Sequence, residues 1–111
     1  MEWSHKRRTT RTNIDDDETL TEAWEVQASL VEKKIETFNT SEDFKKVMEH
    51  CNKNIPIYVD SDLKEQMPGE VFAKFLYEQG FQYLYLATGY EKDRFGYMPW
   101  IKDIVSKDSP F

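Results

Sequence analysis

Cysteine is nearly missing from this chain: Cys51 stands alone among 111 residues, so no internal disulfide framework and no zinc-type ligand spacing can be drawn. Histidine is nearly as scarce. His5 and His50 have no partner pattern; His50 reads as a solvated helix residue, and neither reads as a phosphohistidine. Four glycines and four prolines accompany a chain without internal repeats or low-complexity tracts. No apolar run approaches the roughly 20 residues that span a bilayer, and the basic N-terminus has no hydrophobic stretch after it. A reducing, cytoplasmic location is the expectation, with no membrane segment in this chain.

Positive charge is also lacking over most of the length. Lys6, Arg7, Arg8 and Arg11 against Glu2 give residues 1–12 a charge of +3, which leaves −9 for the remainder of a chain whose total is −6. An acidic domain without a basic face is a poor direct ligand of nucleic acid, because phosphate contacts need lysine and arginine. Alternating Tyr83 and Tyr85 therefore read as sheet packing and not as a base-stacking platform. Residues 1–7 are expected to form a solvated basic tail, and residues 8–111 are long enough for one layered domain with a single core.

What the chain does have is acid in two places. Asp15, Asp16, Asp17 and Glu18 follow a polar stretch over 8–14 that alternates β-branched residues. Asp60 and Asp62 follow the nearly continuous apolar run Ile55, Pro56, Ile57, Tyr58, Val59, the composition of a strand buried on both faces. Between them, Leu20, Ala23, Trp24, Gln27, Ala28 and Val31 recur at helical spacing over 18–32. A short strand is expected over 33–38. Asn39, Thr40 and Ser41 supply a turn and N-cap for a helix over 42–51, with Phe44, Val47, Met48 and Cys51 as its stripe. Gly69 opens a helix carrying Val71, Phe72, Phe75 and Leu76 and closing at Gly80. Strands over 81–87 and 100–105 follow, separated by a poorly periodic stretch with Gly96 and Pro99 that fits at best a short helix.

Strand and helix alternate throughout, which predicts a parallel sheet wrapped on both faces. The fold class is α/β: a flavodoxin-like, doubly wound, five-stranded sheet of order 2-1-3-4-5. Its ligand crevice lies at the carboxyl ends of strands one and three. Those ends carry the two acid clusters. Carboxylates brought together there repel unless a hard cation such as Mg²⁺ sits among them. Thr88 ends the fourth strand and Lys107 the fifth, so a hydroxyl and an ammonium join the same edge. A carboxylate nucleophile, a cation held by acids, a lysine and a hydroxyl make a set suited to phosphoryl chemistry. Asp17 and Glu18 are assigned instead to the helix start, where acid complements the dipole.

The motifs Ile14-Asp15-Asp16-Asp17-Glu18, Ile57-Tyr58-Val59-Asp60 with Gly69 opening the next helix, Leu86-Ala87-Thr88-Gly89 and Val105-Ser106-Lys107, in that order at strand ends, resemble the receiver domain of bacterial two-component response regulators over residues 8–111. The resemblance implies that Asp60 accepts a phosphoryl group from a histidine kinase or phosphotransfer protein. It implies Mg²⁺ held by Asp15, Asp16, the Asp60 carboxylate and the backbone carbonyl of Asp62, with Thr88 and Lys107 on the phosphoryl oxygens. Phosphorylation would then control an output protein that the sequence does not identify.

The chain departs from that family in four ways. Its first strand is unusually polar. Ile104 stands where many receivers carry a switch aromatic, three residues before the lysine. Lys107-Asp108-Ser109-Pro110 replaces the usual Lys-Pro pair. Four residues follow Lys107, so the fifth helix is missing, and the fourth is reduced to 91–99. A dedicated partner, or a place as the receiver at the end of a hybrid kinase, is therefore expected, with Phe95, Tyr97, Met98, Trp100 and Phe111 as a contact flank. Two rival readings stand beside this one. A phosphorylation-independent pseudo-receiver would use the fold as a protein-binding platform, and a small phosphatase of similar topology would use Asp62 as general acid.

Overall fold

The computed structural model describes residues 10–63 and 67–111; the basic tail expected over 1–7 lies outside them. Five strands, β1 (Thr10–Ile14), β2 (Lys34–Phe38), β3 (Ile57–Asp60), β4 (Leu84–Ala87) and β5 (Asp103–Val105), pair in parallel in the order β2-β1-β3-β4-β5. This is the flavodoxin-like, doubly wound arrangement expected from the alternation of elements. The helices are α1 (Glu18–Leu30), α2 (Ser41–Lys45) and α3 (Gly69–Glu78), with 3-10 turns at Met48–His50 and Lys92–Arg94.

β1 is polar yet lies inside the sheet. It pairs with β2 on one side and β3 on the other, so Asn13 stands between Thr37 and Tyr58. Backbone hydrogen bonds on both edges supply what its side chains do not, and Ile14, fully buried, anchors it in the core. Thr12 and Asn13 are buried as well, and the Asn13 carboxamide finds no hydrogen-bond partner among the described residues for either its nitrogen or its oxygen.

Residues alternate across each strand, which divides the packing into two layers. On one face Ile14, Ile57, Val59 and Leu84 meet Phe44 of α2 and Phe72, Ala73 and Leu76 of α3. On the other, Trp24 of α1 sets its ring edge against Tyr58 at 5.4 Å, and Tyr58 stacks on Tyr85 at 4.8 Å. Each large side chain so buried contributes on the order of 2 kcal/mol of transfer free energy.

α1 and α3 end in the same way. Lys33 N–H reaches the Ala28 carbonyl and Glu32 N–H that of Ser29; likewise Phe81 N–H reaches Leu76 and Gly80 N–H reaches Tyr77. Both are Schellman caps, with Gly80 (φ 104°) and Glu32 (φ 58°) in the left-handed position. The cap also explains why β4 starts at Leu84 and not at 81: Phe81 serves α3 and is buried beneath it.

The helix expected over 42–51 is shorter. Val47 N–H bonds the Phe44 carbonyl, an i→i−3 contact that tightens the chain into the 3-10 turn. Phe44 alone of the expected stripe is fully buried; Val47 is exposed, while Met48 and Cys51 pack partly against the core. Between β4 and β5 only a 3-10 turn forms, as the poor periodicity there led one to expect, and residues 106–111 contain no helix. The expected contact flank is divided. Tyr97 is 90% exposed, but Trp100 packs against the core with Lys74 of α3 over its ring, and Phe111 lies under the Arg11 guanidinium at β1.

Candidate functional site

The carboxyl ends of β1 and β3 are adjacent because their strands pair in register, Ile14 with Val59. Asp15 and Asp60 follow from that pairing as neighbours, and both are almost completely buried, at 0% and 2% exposed. Carboxylate oxygens of Asp15, Asp16 and Asp60 all lie within 4.8 Å of one another. Lys107, arriving from the end of β5, places Nζ 2.8 Å from Asp15 Oδ2 and 2.6 Å from Asp60 Oδ1. The lysine thus bridges the two acids.

Each acid is oriented by backbone. Asp15 Oδ1 accepts from Asp17 N–H at 2.9 Å, and Asp60 Oδ1 accepts from Asp62 N–H at 3.0 Å. Asp17 is the N-cap of α1 and accepts from Thr19 and Leu20 N–H, the helix-start role expected of it. Asp62 is exposed and contributes its backbone to the turn beside Asp60.

Burial raises the Asp15 carboxyl to about 6 even though Lys107 and the Asp17 amide pull the other way. Asp60 feels the same burial, yet its carboxyl ends below the ordinary value, because Lys107 and the Asp62 amide outweigh the desolvation. The shorter lysine contact falls on Asp60, so Asp15 is the member of the pair that takes a proton first. The Lys107 ammonium is desolvated by burial, but the hydrogen bonds to Asp15 and Asp60 prevail and hold its pKa above normal.

Thr88, 3% exposed, sits beyond β4 with its N–H on the Val105 carbonyl. Its Oγ is hydrogen-bonded to Ser61 Oγ at 2.9 Å and to Tyr90 N–H at 3.1 Å. The Tyr90 amide can only donate, so Thr88 Oγ accepts there, and its hydroxyl proton can turn to Ser61 Oγ or to the cleft. A cleft of about 330 Å³ opens here, lined among others by Thr88, Tyr90, Ile104, Ser106 and Lys107. Gly69, opening α3, fits against the back of Asp60: a Cβ there would fall 1.7 Å from the Asp60 carbonyl oxygen. No side chain larger than hydrogen is compatible with that approach.

Three residues outside the expected set belong to this site. Ser61 holds Thr88. Asn39, expected only as part of a turn, donates to the Asp15 carbonyl at 2.9 Å. Trp24, expected as a stripe residue, donates its indole N–H to the Lys107 carbonyl at 2.9 Å. A buried indole N–H is costly to leave unpaired; the partner of this one lies 83 positions away in the sequence.

Fold and site together define a doubly wound α/β domain with an acid pocket at the point where strand order reverses. No protein-family model matches the sequence, and no curated protein matches it significantly. Solved structures do match: a CheY-like response regulator receiver domain protein from Methanospirillum hungatei JF-1 (16% identity, TM-score 0.74, covering 89% of this chain and 81% of that one). So does the N-terminal domain of a response regulator/sensory box/GGDEF protein from Carboxydothermus hydrogenoformans (14%, 0.70, 90% and 82%). The BeF3-activated receiver domain of DrrB from Thermotoga maritima is similar to the same extent (22%, 0.70, 92% and 85%). The chain has the receiver-domain fold.

Proposed function

We propose that this chain is a two-component receiver that accepts a phosphoryl group onto Asp60. The observation that carries the reading is the pair Asp15 and Asp60, buried at adjacent strand ends with the Lys107 ammonium 2.8 and 2.6 Å from them. The donor would be the phosphohistidine of a histidine kinase or phosphotransfer protein. A free carboxylate oxygen of Asp60 attacks phosphorus as the P–N bond breaks, and the imidazole leaves with the bonding pair and is protonated.

The hard oxygen donors of Asp15, Asp16 and Asp60 suit Mg²⁺, with the Asp62 carbonyl as a further ligand. The ion would supply charge neutralisation at the phosphoryl oxygens. Lys107 would pair with one such oxygen and the Thr88 hydroxyl would donate to another. Transfer replaces the Asp60 carboxylate charge by the larger negative charge of a phosphoryl group within reach of Lys107 and Thr88, and loops around Thr88 shift in population to report it. The domain would act as a signalling module with slow self-dephosphorylation and not as a turnover enzyme.

Incubation with acetyl phosphate and Mg²⁺, followed by intact mass, is expected to show an adduct of about 80 Da, the mass of one phosphoryl group. The adduct should disappear in Asp60→Asn; its persistence there, or its absence from the wild type, would sink the proposal. The platform reading is favoured by half-buried Ile104 at the switch position, and that reading predicts no adduct and partner binding indifferent to Asp60→Asn.

A further inference from the structure

Lys107 stands in a short segment whose other ties lie two residues before it, where Thr88 N–H bonds the Val105 carbonyl, and four after it, where Arg11 covers the Phe111 ring. β5 is three residues long, no helix follows within 106–111, and the hydrogen bonds between Ser106 and Asp108 are local and exposed. Yet its ammonium is delivered to two buried carboxylates. The tie to the core comes from the other face of the sheet, where the Trp24 indole N–H donates to the Lys107 carbonyl at 2.9 Å.

Trp24 is itself over-determined. It is 1% exposed, and its ring meets Tyr58 edge-on, at 5.4 Å and 73°. Tyr58 is fixed in turn by stacking on Tyr85 and by accepting Arg11 Nη1 at 2.9 Å on its hydroxyl. Indole has one donor and no acceptor, and a rigid ring spends little entropy in aiming it. We infer that Trp24 is a positioning residue: its indole N–H fixes the Lys107 main chain and so aims Nζ at the gap between Asp15 and Asp60. The part of this inference that concerns phosphoryl transfer rests on the proposed receiver function; the part that concerns lysine placement does not.

The discriminating change removes the donor and keeps the ring. Benzothienylalanine at position 24 replaces N–H by sulfur at nearly constant shape, and Trp24→Phe is the genetically simpler partner experiment. The first readout is the ¹⁵N signal of the Lys107 ammonium, expected to be ordered and slow to exchange in the wild type and to exchange roughly tenfold faster without the indole N–H, the effect of losing about one net hydrogen bond. The second is the initial rate of Asp60 labelling by acetyl phosphate, expected to fall five- to tenfold on the same ground. In a Lys107→Ala background the position-24 change should lower that rate no further. A merely structural tryptophan would instead slow labelling equally in both backgrounds and leave the ammonium signal unchanged, and either result overturns the inference. If the wild type takes no label, the receiver reading fails while the ammonium signal still decides the role of Trp24.

Discussion

Two carboxylates that share one lysine set opposite pH dependences. The Asp15 carboxyl, raised by burial to about 6, binds a proton more readily folded than unfolded. Its contribution therefore falls as pH rises from roughly 4, the unfolded value, through 6. Asp60, held below its ordinary value once Lys107 and the Asp62 amide outweigh burial, contributes stability above that unfolded value and loses it as pH falls through the lower folded one. Asp15→Asn removes the first effect. Its stability relative to wild type, measured by urea denaturation without divalent cations, should improve between pH 4 and pH 7 by on the order of 2 kcal/mol; a constant difference would refute the shift. Asn13 poses a separate case one strand position pair below. Its carboxamide is buried without a partner among the described residues, and burying such a group costs roughly 1–3 kcal/mol. Asn13→Val should raise the thermal midpoint by several degrees, about 4–8 °C per kcal/mol at this size. A lower midpoint would mean that the carboxamide is hydrogen-bonded after all.

Among the elements, the two Schellman caps invite direct comparison. Both close a helix that packs on the sheet, and both demand a left-handed residue, filled by Gly80 after α3 and by Glu32 after α1. A residue with a Cβ pays about 1 kcal/mol for that conformation, so Glu32→Gly should stabilise the domain by roughly 0.5–1 kcal/mol, read as a higher urea midpoint at unchanged slope. The Gly80 cap was legible in the sequence because glycine advertises it. The Glu32 cap was not, since nothing in Val31-Glu32-Lys33 marks a left-handed turn. The same contrast holds for the helix after β2: its stripe had the right period, but i→i−3 bonding at Val47 ended it early, and periodicity cannot distinguish a 3-10 turn from an α-turn over so few residues.

At the scale of the whole molecule, the acid pocket joins the ends of β1, β3 and β5, so a cation bound there stabilises the domain as a unit. If Mg²⁺ occupies the Asp15, Asp16 and Asp60 oxygens, a tenfold excess over its Kd adds about 1.4 kcal/mol of stability. Calorimetry should show the midpoint rising with Mg²⁺, and Asp16→Asn should blunt the rise. An indifferent midpoint would remove the metal from the reading.

Much of this was legible in one dimension. Alternating strand and helix signals pointed to a parallel, doubly wound sheet, and the resemblance carried by the strand-end motifs supplied the order that the structure has. The acids after β1 and β3, with Thr88 and Lys107 after β4 and β5, could be assigned to one edge because all strand ends in such a sheet point the same way. The tertiary structure decided what periodicity cannot carry. It buried Asn13 of the polar β1 without a partner among the described residues, and it raised the pKa of the buried Asp15 beside a lowered one at Asp60. It also brought Trp24 to the Lys107 carbonyl across 83 residues. Local pattern reports what a residue is and which way it faces, while partners, burial and fields depend on segments that only the folded chain brings together.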